Sequence, residues 1–295
     1  MNIKDLEYFV AVFNKKNFSQ AATQKKVSQP TITTAIKKLE KEFSVKLFIR
    51  DRSHQRLEPT KEGKQLFIHV KKILTELNTS KKELLRLSNT KIRVGLPPII
   101  GNYYFPNMAP ALFHSGLINK IETVEAGSSK LQSQLINGDL DIALLGSLSP
   151  IINRTLNVQQ FASAPFNIIV SPKNPLARRQ KISFMELKNE PFIVLNKGFV
   201  HQTALREISN RAHYRPQVSY HTTDIHILKA LVAENLGIGF LTASAITKAD
   251  PIRSLTLTDD EQPIFYMSTA YRKTKLLLKN EKHLLRLIQK ELIPI

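Results

Sequence analysis

Gln29, Thr31, Thr33, Thr34 and Lys37 fall along one side of a short stretch whose other side carries Ile32, Ile36, Leu39 and Phe43. That spacing predicts an amphipathic helix, with Ser28 as its N-cap and Pro30 in the first turn, where no intrahelical N–H is needed. The polar side has the chemistry of a base reader. A Gln amide matches a base edge with two hydrogen bonds, a Thr supplies a hydroxyl and a methyl, and Lys37 neutralises phosphate. The helix start itself attracts phosphate. Beyond Leu47 and Phe48, Ile49–Leu57 is polar and Arg-rich between apolar ends, the pattern of a β-wing that lays Arg52 or Arg56 along a minor groove or a backbone; Arg50, next to Phe48, suits an anchor to the protein better. One polar helix face is ordinarily just solvated. Three short helices in succession followed by a basic wing make duplex DNA the better reading.

Catalytic chemistry has little to work with. The chain contains no Cys, which excludes thiolate nucleophiles, thiolate metal sites and disulfides, in keeping with a reducing compartment. Gly237-x-Gly239 lacks a third glycine, and neither a P-loop nor Gly-x-Ser-x-Gly occurs. His221 and His226 are five apart and share no helix face for a metal. Asp139 and Asp141 straddle a predicted strand start, where capping or solvation is the expected role. We therefore expect no catalytic residues, no metal and no cofactor. The balance of 43 Lys and Arg against 24 Asp and Glu gives a net charge of +19, which favours a polyanionic partner. Residues 1–90 hold 19 of the basic and 9 of the acidic residues, about twice the charge density of the remainder.

The reader helix needs a scaffold. Leu6, Phe9, Val10 and Phe13 predict a first helix ending near Lys15–Asn17, and Ser19 is placed to cap a second containing the small residues Ala21 and Ala22. Thr60 is expected to cap a long helix running to about Leu87. Its Leu66, Val70, Ile73, Leu77, Ser80, Leu84 and Leu87 follow a 4-3-4-3-4-3 spacing, a narrow coiled-coil seam that predicts a partner helix and hence a dimer.

From residue 91 the pattern changes to alternating strands and helices. Strands are expected at Ile92–Leu96, Ile121–Ala126, Ile142–Leu145, Phe166–Ser171, Phe192–Leu195, Gln217–Thr222, Ile238–Leu241 and Ile264–Tyr271. Helices are expected at Tyr103–Ser115, Ser129–Asn137 with Ser128 as cap, His201–Ala212, Asp224–Asn235 and Thr274–Leu292. The fold class is thus α/β with an all-α N-terminal head: a winged helix-turn-helix over 1–59, a linker and dimerisation helix over 60–90, and a two-lobed domain over 91–295. The lobes are expected at about 91–161 plus 268–295 and about 162–267, with mainly parallel sheets. Ligands of open α/β sheets settle at strand carboxyl ends near helix starts. That rule selects the loops around Pro97 to Asn102, Gly146 to Ser149, Asn196 to Thr203 and Thr222 to Asp224, and within them Pro97, Pro98, Ile99 and Ile100, then Gly146 and Ser147, then Asn196, Lys197, Gln202 and Thr203, then Thr223 and Asp224. Helix starts favour an anion such as a carboxylate.

Together these features resemble the LysR-type transcriptional regulators over the whole chain. The residues that carry the likeness are Leu6, Phe9, Phe18-Ser19, Ala21-Ala22, Ser28-Gln29-Pro30-Thr31-Ile32-Thr33, Ile36, Leu39-Glu40, Leu47-Phe48, Arg50, Leu57, Thr60 and Gly63, then Gly138–Ala143 and Leu236–Leu241. The resemblance implies a periplasmic-binding-protein-like effector domain and DNA contacts at Gln29, Pro30, Thr33, Thr34 and, in the wing, near Ser53; Ser28, at the start of the reader helix, is expected to join them. It also implies a dimer or dimer-of-dimers on double-stranded DNA with an interrupted inverted repeat, a small-molecule effector, and contact with RNA polymerase. Asn17, Lys25, Thr33 and Ser44 depart from the family's usual Gly, Leu, Ser and Gly. Thr33 keeps the hydroxyl, whereas Lys25 predicts a locally looser head. Leu96–Gly101 is similar to a branch that includes regulators of malolactic fermentation and overflow carbon metabolism, which points to a small organic acid.

Two other classes fit less well. An enzyme would need chemistry that the residues do not supply. A solute-binding protein shares the two-lobed plan, yet it would need an export signal and has no use for a Gln29-bearing reader. Met1–Phe13 carries Asp5 and Glu7 within its apolar pattern, and the longest apolar runs are far too short to span a bilayer, so a cytoplasmic protein without membrane attachment is expected.

Overall fold

The first helix, α1 (Ile3–Lys15), opens with a capping box: Asn2 accepts the N–H of Asp5, and Asp5 accepts that of Asn2. Reciprocal capping of this kind satisfies two otherwise orphan donors and fixes where the helix begins. The second helix, α2 (Phe18–Lys25), is capped by Asn17, whose side chain accepts from Gln20, so Ser19 lies inside the first turn instead of at its cap. The third, α3 (Gln29–Phe43), is capped by Ser28 as expected. Each of the three ends on a left-handed residue, namely Lys16, Lys26 and Ser44.

In a computed structural model, residues 1–50, 57–87 and 91–292 are described, and the chain divides into two compact units, Met1–Ser88 and Asn89–Ile295. The core of the first unit is built from Leu6, Phe9, Val12, Ala21, Ile32, Ile36, Leu39 and Leu47. Phe43 was expected in that stripe but is 42% exposed: it is the last residue of α3 and lines an open groove with Leu47, Leu66 and His69. Lys25, which stands where the family's usual Leu would pack, pairs its ammonium with Glu7 at 3.0 Å, an ion pair in place of an apolar contact. Two short antiparallel strands follow, β1 (Phe48–Arg50) and β2 (Leu57–Pro59), the stems of the expected wing.

The long helix α4 (Lys61–Arg86) is capped by Thr60, which accepts the N–H of Gly63 at 2.9 Å. Its first half belongs to the head. Val70 is fully buried in the head's own core, Leu66 and Leu74 pack against it, and Phe67 stacks on Phe13 at 3.9 Å. Val70 is therefore removed from the seam predicted to meet a partner. Further along, Ile73, Leu84 and Leu87 are exposed and Leu77 is half-buried.

The second unit holds, among the described residues, a ten-stranded sheet of order β4-β3-β5-β12-β6-β10-β8-β9, with β11 and β7 joining beside β6. One half pairs β3 (Ile92–Leu96) in parallel with β4 (Ile121–Glu125) and β5 (Ile142–Ser147), faced by α5 (Pro98–Tyr103), α6 (Phe105–His114) and α7 (Ser128–Ile136). The other half pairs β8 (Pro191–Leu195) in parallel with β9 (Gln217–Thr222) and β10 (Ile238–Thr242). With them go α8 (Val200–Arg211), α9 (Ile225–Ala233), the short β7 (Lys181–Ile182) and β11 (Arg253–Leu257). Two strands run through both halves, β6 (Leu156–Val170) and β12 (Ile264–Arg272), antiparallel from Leu156 opposite Arg272 to Pro165 opposite Ile264. Their register shifts between Met267 and Ser268, where Phe161 is skipped. The sheet is accordingly mixed where a mainly parallel one was expected.

Several boundaries move for local reasons. Pro97–Asn102 was expected to be a loop, but Pro98 opens α5, and the helix predicted from Tyr103 breaks at Tyr104 into α5 and α6. The strand expected from Phe166 begins ten residues earlier, since the bulge at Phe161 interrupts the alternation that would have revealed it. Gly127, and not Ser128, occupies the cap position of α7. The last helix, α10 (Lys279–Leu292), starts later than Thr274, because Glu281 turns back to accept the N–H of Leu278.

Candidate nucleic-acid interface and ligand cleft

Ser28, Gln29, Pro30, Thr31, Thr34 and Lys37 are all exposed on the start and outer face of α3, and Thr33 is half-buried. The structure thus gathers this predicted set on one surface. Ser28 and Thr31 hydroxyls lie 2.8 Å apart, and Ser28 also accepts the backbone N–H of Thr31 at 3.3 Å. Ser19, the residue displaced from its expected cap, donates to the Gln29 side-chain oxygen at 3.0 Å. That bond orients the Gln29 amide so that its NH2 group and one oxygen lone pair remain for a base edge. Thr33 spends its hydroxyl proton on the Gln29 carbonyl at 3.0 Å, leaving its methyl and oxygen lone pairs. The face is braced from behind by ion pairs of Lys38 with Asp5 and of Lys46 with Glu40. Arg52, Ser53 and Arg56 lie outside the described residues.

In the second unit, a cleft of about 330 Å³ opens between the two halves of the sheet. From one half come Ser128, Ser129, Gln132, Leu145, Gly146, Ser147 and Ile151, and from the other Gly198, Phe199, Val200, Gln202 and Thr203. A smaller cavity of about 20 Å³ adjoins it, lined among others by Pro97, Pro98, Ile99, His201 and Phe265, and shares Ser128 and Gly198–Val200 with the cleft. Gly146, Ser147, Gln202, Thr203, Pro97, Pro98 and Ile99 are thus brought together as expected. Ile100 is not among them: it is fully buried in the core because its side of α5 faces the sheet. Asn196, Lys197, Thr223 and Asp224 line neither cavity. The backbone N–H of Asn196 bonds Thr222, and Asp224 is committed to capping α9 through His226.

Phe199 and His201 fall within the stretch from Asn196 to Thr203 that the strand-end rule reached, although neither was singled out there. Sequence reasoning missed Gln132, Ile151 and Phe265, and nothing local marks Phe265. The first turns of α7 and α8 both face this region, and neither has a side-chain cap. Gly127 and Gly198 meet across it so closely that a Cβ at 127 would lie 2.6 Å from the Gly198 carbonyl oxygen. His201 is buried, and burial lowers its pKa to about 3, so its ring is neutral at neutral pH. Among the described residues no group of His, Asp or Glu could hold a metal ion, and no helix is long and apolar enough to cross a membrane.

Comparison with known proteins gives a consistent result for both units. Residues 3–64 match the model of the bacterial regulatory helix-turn-helix protein, lysR family, and residues 86–293 match the LysR substrate binding domain. The malolactic fermentation system transcriptional activator of Lactococcus lactis subsp. lactis (strain IL1403) is 33% identical over 292 residues, 98% of either chain. Among solved structures, the Corynebacterium glutamicum OxyR C206 mutant superposes with a TM-score of 0.59 at 20% identity, over 98% of this chain and 91% of that one. Full-length BenM gives 0.56 at 20% identity, over 98% and 96%.

Proposed function

The chain belongs to the LysR family of transcriptional regulators, and from that premise we propose that the exposed face of α3 reads its operator while the cleft of the second unit binds the effector that controls it. As a member of the family it is a DNA-binding regulator with an effector-binding domain, and not an enzyme. The observation that carries the assignment of the reading face is the clustering of Ser28, Gln29, Thr34 and Lys37 on one exposed surface of a basic head. Dimerisation through Ile73, Leu77 and Leu84 of α4 and its C-cap Leu87 would present two such faces to an inverted repeat, as a dimer or dimer-of-dimers. A cytoplasmic location and contact with RNA polymerase complete the reading.

A small organic acid is the effector we favour. Helix starts at the cleft suit an anion, and the 33%-identical relative is named for malolactic fermentation. The absence of Cys leaves no thiol to sense a signal. Effector binding would change the angle between the lobes, the pairing of dimers and hence DNA bending, driven only by its different affinity for the two arrangements. DNA bend angles and footprints that stay the same when a bound effector is added would refute this coupling.

The division of labour on α3 is testable. Gln29→Ala is expected to weaken cognate binding by about 1–3 kcal/mol with little effect on random DNA. Lys37→Ala should weaken both and reduce the salt slope by about 1. Titrations of the two variants on cognate and random duplexes at several salt concentrations decide it; equal losses on both duplexes for both variants would contradict the assignment. For the cleft, Gly127→Ala drives a methyl into the Gly198 carbonyl and forces the lobes apart. Overpacking of roughly 1–3 kcal/mol corresponds to about a fivefold to 150-fold rise in the effector concentration needed for half response, measured by operator binding against added acid. An unchanged response would place the effector elsewhere.

A further inference from the structure

His201 lies in the first turn of α8 and is 3% exposed. Its Nε2 accepts the backbone N–H of Thr242 at 3.2 Å, and a nitrogen that accepts carries no proton. The single proton of the neutral ring must then sit on Nδ1. That atom is buried and without a hydrogen-bond partner. The ring cannot swing away to find one, since it is packed against Phe166, with ring centroids 5.1 Å apart, and Phe265, at 5.8 Å. An orphan buried donor is costly, and one held in place beside a cavity is complementary to an acceptor that arrives with a ligand.

His201 lines the small cavity of about 20 Å³, which has room for about one oxygen-sized atom. The first turns of α7 and α8, both without side-chain caps, converge on the same place. No Asp, Glu, Lys or Arg lines either cavity, so a positively charged ligand group would find no counter-charge, whereas an anion meets two helix starts and an N–H. We propose that the Nδ1–H of His201 is the donor that selects a carboxylate effector. One carboxylate oxygen enters the small cavity and accepts from Nδ1, and the rest of the ligand lies in the larger cleft against Gln132, Ser147, Gln202 and Thr203. This rests on the reading of the cleft as the effector site.

The test uses the full-length protein and three pairs of probes: acetate, lactate and succinate, each beside its amide. In the protein labelled with nitrogen-15 at histidine, the His201 signal, assigned by its loss in His201→Gln, is expected to show the Nδ1–H tautomer and to shift when a carboxylate is added. The acids should raise the melting temperature and bind at least tenfold more tightly than their amides. His201→Met keeps a weak thioether acceptor for the Thr242 N–H and carries no donor, whereas His201→Gln restores a donor through its NH2 group. His201→Met should bind the acids at least tenfold more weakly while melting within a few degrees of His201→Gln, which should recover part of the binding. An Nε2–H tautomer, an acid no better than its amide, or unchanged binding by His201→Met would each overturn the proposal. The wider reading is judged separately. Probe binding lost in Gly127→Ala but kept in His201→Met sustains the cleft and removes only His201, whereas binding indifferent to Gly127→Ala removes the cleft itself.

Discussion

Lys275→Met is expected to destabilise the second unit by about 3–5 kcal/mol, the range found when one partner of a buried ion pair is removed. The ammonium of Lys275 lies 2.8 Å from Asp141 and 3.1 Å from Glu281, and the three side chains are only 10%, 6% and 6% exposed. Asp141 immediately precedes β5 and also accepts the N–H of Arg93 from β3, while Glu281 sits in the first turn of α10. Taking away the cation leaves two carboxylates buried side by side. Urea unfolding monitored on the second unit would measure the loss, and a midpoint equal to the parent's would mean that water replaces the ammonium without cost. Adding Asp141→Asn and Glu281→Gln, which remove both charges but keep acceptors for the N–H groups of Arg93 and Leu278, should recover most of the stability. The contrast between the single and the triple variant separates an uncompensated charge from a packing defect.

Gly63→Ala should act as severely on the head. A Cβ at position 63 would lie 2.2 Å from the backbone oxygen of Leu47, which is already engaged by the Thr60 N–H at 3.0 Å and the Thr60 hydroxyl at 3.2 Å. A backbone oxygen in a strand-flanking position cannot yield as a side-chain tip would. Overpacking ordinarily costs about 1–3 kcal/mol and sometimes more; with no flexible neighbour, we expect the upper end, about 3 kcal/mol. For a domain of this size that corresponds to a fall of roughly 12 °C or more in the head's melting temperature. Thermal unfolding of the parent and the variant, read by loss of operator binding, measures the change. A fall of less than a few degrees would show that α4 can lift from the wing stem.

The reader surface was legible because its signals are local. Ser28, Pro30 and the 3.6-residue spacing of Ile32, Ile36 and Leu39 specify the helix and its outer face together. Where the reading went astray, the deciding partner was distant in the chain. Val70 fits a heptad seam, yet Phe9 and the rest of the head core claim it. Ser19 looks like a cap, but Asn17, an equally good one two residues earlier, takes that position and Ser19 turns to Gln29. In the cleft, strand-end logic reached Gly146 and Thr203 from their own neighbourhoods but not Phe265, which arrives from the returning strand β12. Asn196, Lys197, Thr223 and Asp224 obeyed the same rule and still missed the cavities, because a strand end fixes a loop's location and not which of its side chains faces a ligand. Ser44 is a milder case: it holds φ 53°, where the family's usual Gly would sit without strain.

The two strands that thread the second unit have a genealogical consequence. The chain enters one half through β6 and leaves it through β12, neighbours joined by backbone hydrogen bonds that do not depend on side-chain identity. Everything between is an uninterrupted insertion whose ends lie side by side. A regulator of this design can trade one wall of its binding site with a relative as a single segment of gene, keeping the graft seam intact while the other wall, and the operator it serves, stay as they were.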